Sequence, residues 1–223
     1  MDNILAIETS TDICSVSIGN CQEVVSYHEN IPKQHTEKLL SVINNLLEES
    51  NLSYEDLSAL AVGIGPGSYT GVRLSCAVAQ GIAFSQQLKG ITLPSIELLS
   101  IQAHEETFSN VVIAISELNM GKVYISKSIF SEGNMKSSYS LIPQEAFKRE
   151  AFPEESCFVG EGCSSFNITN QLPDAHPRAT YLLKFALKKL DQGDLIEPDK
   201  ICLLYTSDAA DERSSVDLGG RRI

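Results

Sequence analysis

Apolar and polar positions alternate at the start of the chain, which is the pattern of β-strands. Residues 4–7 form a short apolar run, and residues 13–18 alternate with a period of two after the polar segment 8–12. Residues 19–20, Gly-Asn, are a turn signal, and residues 23–27 are again β-prone. The pattern predicts a strand, a polar turn and two further antiparallel strands.

The apolar spacing changes to that of an amphipathic helix beyond residue 35. Apolar side chains recur one helical turn apart over residues 36–49, namely Leu39, Leu40, Ile43, Leu46 and Leu47. A second helix is predicted over residues 72–86, and its small residues would let another helix approach closely: Ala77, Ala79, Gly81 and Ala83.

A compact apolar strand, residues 60–64, lies between these helices and runs into a glycine-rich turn, residues 65–71. The next strand is predicted over residues 90–94, and Ser95 opens another helix. Strand, helix and strand form a βαβ unit, for which a right-handed crossover is expected.

The second half of the chain repeats this succession of strands and helices. A hairpin is predicted from residues 111–115 and 123–129, followed by a short helix over residues 143–148. A strand over residues 158–162 and a helix over residues 180–190 complete it. Both halves begin with strands and end in helices, which is consistent with two related lobes and predicts an α/β fold with mixed sheets.

These patterns divide the chain into an N-terminal lobe, residues 1–105, and a smaller C-terminal lobe, residues 106–201. Residues 202–223 lose all periodicity, and the segment resembles translated adapter or vector DNA. We therefore predict a non-native or disordered tail there and leave it out of the functional reasoning.

The composition of the chain excludes several classes of protein. The chain has 223 residues and a net charge of −12, so unaided binding to a nucleic-acid backbone is not expected. None of the six cysteines forms a C-x-x-C pair, and the N-terminus lacks the pattern of a signal peptide. No apolar run approaches the ~20 residues of a membrane helix. The expected location is the cytoplasm.

Two loops are candidates for binding phosphate. The first is the polar turn with Glu8, Thr9 and Ser10, which can equally be a plain β-turn. The second is the glycine-rich turn with Gly65, Gly67 and Ser68, ahead of a helix N-terminus; its structural alternative is a strand-to-helix turn capped by a hydroxyl. The second loop matches neither a Walker loop nor a dinucleotide fingerprint.

Other chemistry has little support in the sequence. The four histidines form no metal-binding pair, and no G-x-S-x-G nucleophile motif is present. No catalytic residue and no metal site are predicted. Weak binding of ATP or ADP with Mg²⁺ is the one cofactor hypothesis that the two loops leave open.

Three segments together resemble one family. Residues 4–11 read ILAIETST, residues 35–40 read HTEKLL, and residues 63–74 read GIGPGSYTGVRL. In this order and spacing they resemble the TsaB (YeaZ) family, strongly to about residue 105 and more weakly over residues 110–201. The resemblance implies an actin-like, sugar-kinase-like fold (the ASKHA, ribonuclease H-like class) of two lobes with mixed sheets flanked by helices.

The resemblance also implies a function. Members of this family are non-catalytic subunits that pair with TsaD, which threonylcarbamoylates the adenosine next to the anticodon of tRNAs reading ANN codons; a small ATPase, TsaE, joins them. The tRNA contact would be indirect, and the same helix faces leave open a homodimer when TsaD is absent. The implied interface lies on the first two helices: His35, Leu39, Leu40, Ile43, Leu47, Arg73, Ala77 and Gly81.

Two alternatives stay open beside this interpretation. One is an ATP-dependent phosphotransferase of the same superfamily, and the other is a metalloprotease, which the histidine spacing disfavours. One departure from the family pattern also matters, since Glu117 and Asn119 stand where an Asp-Ala-Arg sequence is common. Glu117 keeps an acidic side chain at this position, whereas Asn119 replaces the arginine. The loss of the arginine puts any role for that site in doubt.

Overall fold

The computed structural model describes residues 2–118 and 121–204. Its first sheet has five strands in the order β3-β2-β1-β4-β5. The first three strands are antiparallel neighbours, whereas β4 and β5 run parallel to β1, as the predicted βαβ unit requires. The strand bounds are β1 Asn3–Glu8, β2 Ile13–Gly19, β3 Val24–Asn30, β4 Leu57–Gly63 and β5 Lys89–Leu93.

The second sheet has four strands in the order β8-β7-β6-β9. Strands β6, β7 and β8 are antiparallel neighbours and β9 runs parallel to β6, so the pattern repeats that of β1 to β4. This repetition agrees with the idea of two related halves. The strand bounds are β6 Val111–Leu118, β7 Lys122–Ser131, β8 Asn134–Pro143 and β9 Cys157–Val159.

In the described part of the chain four α-helices cover the sheets: α1 His35–Glu49, α2 Tyr69–Gln86, α3 Ser95–Thr107 and α4 Ala179–Asp191. Helices α1 and α2 pack on one face of the first sheet, and α4 packs on the other face although it comes last in the chain. Strand β1 shows why both faces need cover, since Leu5 and Ile7 enter one core and Ile4 and Ala6 the other. Helix α3 packs against the second sheet.

The predicted order of strands and helices is confirmed, with two exceptions. The short helix expected over residues 143–148 is reduced to the 3₁₀ helix Gln144–Ala146, because β8 continues to Pro143; a second 3₁₀ helix, Arg149–Ala151, follows. Strand β8 itself was missed. The position of the lobe boundary at residue 105 stays a prediction.

Most of the segment predicted as a tail, residues 205–223, lies outside the described residues. Just before it, Ile201 is fully buried in the core of the first sheet. The Leu204 amide donates to the Ile64 carbonyl at 3.0 Å. Within the described ranges, no helix has both the length and the apolar character needed to span a bilayer.

Candidate interaction face and cleft

The polar turn after β1 is tied to the glycine-rich turn through Glu8. The Glu8 carboxylate is buried and accepts hydrogen bonds from the Ser10 amide at 2.6 Å and the Ser95 hydroxyl at 2.7 Å. The Gly65 amide donates in turn to the Ser95 hydroxyl at 3.0 Å. Burial raises the pKa of Glu8, while the bonds from Ser10 and Ser95 oppose that rise. The Ser95 hydroxyl therefore links the polar turn, through Glu8, to the glycine-rich turn, through Gly65, at the start of α3.

The start of α2 is fastened to the same turn. The Ser68 amide donates to the Ser10 carbonyl at 2.6 Å, and the Thr9 hydroxyl donates to the Gly71 carbonyl at 2.7 Å. A Cβ at Gly67 would overlap the backbone of Ser10. Glycine is needed here for close approach of two chain segments, which supports the structural interpretation of this loop.

A cleft of about 370 Å³ opens beside these turns, between the ends of the two sheets. Of the six predicted phosphate-loop residues, Ser10, Gly67 and Ser68 line it. The Ser10 hydroxyl is buried and has no hydrogen-bond partner among the described residues. The other three, Glu8, Thr9 and Gly65, are held in the contacts that build the turn.

The charge of the cleft does not suit a phosphate group. Three carboxylates line it, those of Asp12, Glu117 and Glu161, and its described lining includes neither lysine nor arginine. Glu161 accepts a hydrogen bond from Ser116 at 2.9 Å. No cluster of metal-ligand side chains large enough to hold an ion occurs in residues 2–118 and 121–204. The cleft thus offers no basic side chain for a phosphate group, and weak binding of ATP or ADP with Mg²⁺ stays a prediction.

The apolar stripe of α1 faces the protein's own core. Leu39 and Ile43 are fully buried, and Leu47 is 4% exposed, in the cluster between α1 and the first sheet. His35, the first residue of the helix, is also buried. These four predicted interface residues have no surface to offer a partner in this conformation, whereas Leu40 points outward with 53% exposure.

Helix α2 carries a stripe of exposed residues. Ala77 and Gly81 are exposed near its middle, and a Cβ at Gly81 would meet nothing within 4 Å. Tyr69 at one end is 51% exposed and Phe84 at the other is 60% exposed. We call Tyr69, Ala77, Gly81 and Phe84 the α2 stripe.

Arg73 lies along the α2 stripe with its guanidinium 3.3 Å from the centre of the Tyr69 ring. It is half-buried by that contact. The two aromatic residues of the stripe were not singled out from the sequence. Tyr69 lies one helical turn before Arg73, and Phe84 lies about one turn after Gly81. This helical spacing is the signal that could have indicated both aromatic residues.

Comparison with known proteins identifies the family. A family model described as TsaD, tRNA N6-adenosine threonylcarbamoyltransferase, matches residues 27–169, which is more than half of the chain. A TsaB protein from Haemophilus influenzae is 30% identical over 202 residues, 90% of this chain and 83% of the relative. The chain belongs to the TsaB (YeaZ) family. The match to Escherichia coli TsaB, 37% identical, covers 54% of this chain and only 52% of that protein.

Solved structures agree with membership of the TsaB family. YeaZ from Pseudomonas aeruginosa superimposes with a TM-score of 0.83 at 28% identity, covering 92% of this chain and 100% of that one. The predicted actin-like, sugar-kinase-like class with mixed sheets flanked by helices is thereby confirmed. Another matching structure is described as having similarity to peptidase YEAZ, a description that concerns that protein alone.

The departure from the TsaB family pattern falls at the edge of the cleft. Glu117 lines the cleft and accepts a hydrogen bond from the Ser165 hydroxyl. Asn119 lies outside the described residues. The retained acid is thus placed among other carboxylates, a setting that repels an anionic ligand.

Proposed function

We propose that this chain is a non-catalytic subunit in tRNA threonylcarbamoyladenosine biosynthesis, and that it binds and activates TsaD as a heterodimer. Its relatives in Haemophilus influenzae and Escherichia coli carry the name of that pathway. In this proposal TsaD modifies the adenosine next to the anticodon of tRNAs that read ANN codons. The chain supplies a surface for TsaD rather than a catalytic group.

The observation that carries the proposal is the α2 stripe, on a chain that a TsaD family model matches over residues 27–169. Two proteins that share a fold can pair through equivalent elements, as the subunits of a two-fold dimer do. Ala77 and Gly81 allow a close helix approach, and Phe84 and Tyr69 supply apolar area on either side. The same stripe would hold a homodimer when TsaD is absent.

The negative charge of the chain argues against a direct contact with tRNA in the proposed role. The net charge of −12 opposes direct contact with a phosphate backbone, so TsaD is expected to carry the tRNA-binding surface. TsaE is proposed as a further partner of the assembled pair.

Nucleotide binding is not part of the proposed role. In a calorimetric titration with ATP and Mg²⁺, we expect a Kd weaker than about 0.1 mM, because no lysine or arginine in the described lining of the cleft would hold the phosphates. ADP should behave alike. A Kd near ~1 μM would contradict this expectation and would favour the phosphotransferase alternative.

Pairing is tested by size-exclusion chromatography with light scattering, using purified chain and TsaD from the same organism. The expected result is a complex with the mass of one copy of each. Two separate peaks at micromolar concentrations would count against the proposal. The chain run alone provides the reference for a homodimer.

A further inference from the structure

A second and larger cavity, about 1010 Å³, lies between α3, α4 and the β7–β8 hairpin. Glu97, Ile101 and His104 line it from α3, whereas Ile96 and Leu99 turn toward the other cleft or the second sheet. The two cavities are therefore on different sides of one helix. The volume is in the range of small-molecule sites, about 300–1,000 Å³.

Small hydroxyl residues make room for this cavity in the sheet. In the β7–β8 register Ser128 stands opposite Ser137, next to the larger pair Phe130 and Met135. The two serine hydroxyls lie 3.0 Å apart, and the Ser137 hydroxyl bonds the Glu97 carboxylate. A chain of polar groups thus ends at a carboxyl group inside the cavity.

Glu97 is an unusual residue to find there. It is 5% exposed, and none of the ion pairs in the described parts of the chain involves it. Loss of hydration raises its pKa to about 7, with the Ser137 bond opposing the rise. Burying a carboxylate without a cation is costly, and a positively charged ligand would remove that cost.

Three lysines line the cavity, of which Lys188 is exposed and the other two lie in ion pairs. Lys184 pairs with Glu105 at 2.6 Å, and Lys189 pairs with Asp194 at 2.6 Å. The most buried charged group of the cavity is the Glu97 carboxyl, and two further carboxylates, Glu105 and Glu132, are among the lining residues. An anionic ligand would be repelled at the position where a cationic one would be held.

Flat apolar walls flank the carboxyl group. The Phe130 ring stacks on His104 with centroids 4.0 Å apart and an interplanar angle of 4°. Tyr139 stacks on Tyr124 at 5.8 Å. Rings held in this way present fixed faces that suit a planar ligand, and their electron-rich faces also favour a cation.

We propose that this cavity binds a planar organic cation, an aromatic ring bearing an amidine or amine, with the charged group against Glu97 and the ring between the aromatic walls. The site lies apart from the α2 stripe, so it does not depend on the proposed pairing with TsaD. Benzamidine is a suitable probe, since its amidinium can bond both oxygens of a carboxylate. Benzamide has the same shape without the charge.

The test is a titration of the isotope-labelled full chain by amide NMR at pH 8. We expect benzamidine to shift amides of α3 and the β7–β8 hairpin saturably, with a Kd of about 1 mM for so small a ligand. Glu97→Gln keeps the shape, removes the charge and should weaken binding by at least about tenfold. Glu49→Gln, at an exposed position of α1 that does not line the cavity, is the control and should bind like the parent chain.

Three outcomes would overturn the proposal: no saturable shift, equal binding of benzamide and benzamidine, or full binding by Glu97→Gln. The Glu97→Gln spectrum itself reports whether the variant is folded. Tyr139→Ala is a second variant on a partly exposed position, and it should also weaken benzamidine binding, through loss of the aromatic wall.

Discussion

Replacing Gly81 with arginine is expected to leave the chain folded and to weaken its association with TsaD by at least about a hundredfold. Nothing lies within 4 Å of the position that a Cβ would take at Gly81, so the chain itself has room for the side chain. A partner helix packed over Ala77 and Gly81 would not have room, and it would also enclose an unpaired charge. Co-elution with TsaD and the melting temperature are the two measurements.

Two controls sharpen this experiment. Gly81→Ala should keep the pairing, since a methyl group adds little at a helix contact. Ser138→Arg adds the same charge at an exposed position on β8, away from the α2 stripe, and should co-elute with TsaD unchanged. If Gly81→Arg co-elutes like the parent chain, the α2 stripe is not the interface.

Replacing Gly71 with alanine is expected to lower the free energy of unfolding by about 3 kcal/mol. The added Cβ would overlap the carbonyl oxygen of Thr9, a backbone atom that cannot move without disturbing β1. The Thr9 hydroxyl also donates to the Gly71 carbonyl. A shift of Thr9 away from the new Cβ would therefore strain this hydrogen bond as well. Urea unfolding followed by far-UV circular dichroism measures the change.

Gly81→Ala is again the matched control, because the same substitution in the same helix meets open space there. It should raise the free energy of unfolding by up to about 1 kcal/mol through helix propensity. Equal effects of the two substitutions would mean that the polar turn and α2 are not packed as closely as the structure has them.

The first half of the chain could be predicted well because local signals and tertiary structure agree there. The period of two in residues 13–18, the apolar spacing of α1 and the glycine-rich turn each specify one element. Strand β8 gave no such signal. It is an edge strand rich in serine with most residues exposed, so it has no alternating apolar face.

Only some of the predicted interface residues are exposed on the surface. Periodicity shows that one face of α1 is apolar, but it does not tell whether a sheet or a partner covers that face. Leu39, Ile43 and Leu47 pack on the first sheet. The exposed residues Leu40, Ala77 and Gly81 remain candidates, and the interface itself stays a prediction.

The cavity around Glu97 could not be anticipated from the sequence. A glutamate in the first turn of a helix is common, because it interacts favourably with the helix dipole. What buries Glu97 is the β7–β8 hairpin, and its contact residue Ser137 lies 40 positions along the chain in a strand that was missed. Long-range contacts of this kind leave no local pattern.

The proposed role is that the chain activates TsaD without being a catalyst itself. The most direct test is an assay of threonylcarbamoyladenosine formation on an ANN-decoding tRNA, with TsaD and the other pathway proteins present and this chain added or omitted. We expect product only when TsaD and the chain are both present, and none from the chain without TsaD. Full activity of TsaD without the chain, or activity of the chain without TsaD, would contradict the proposed role.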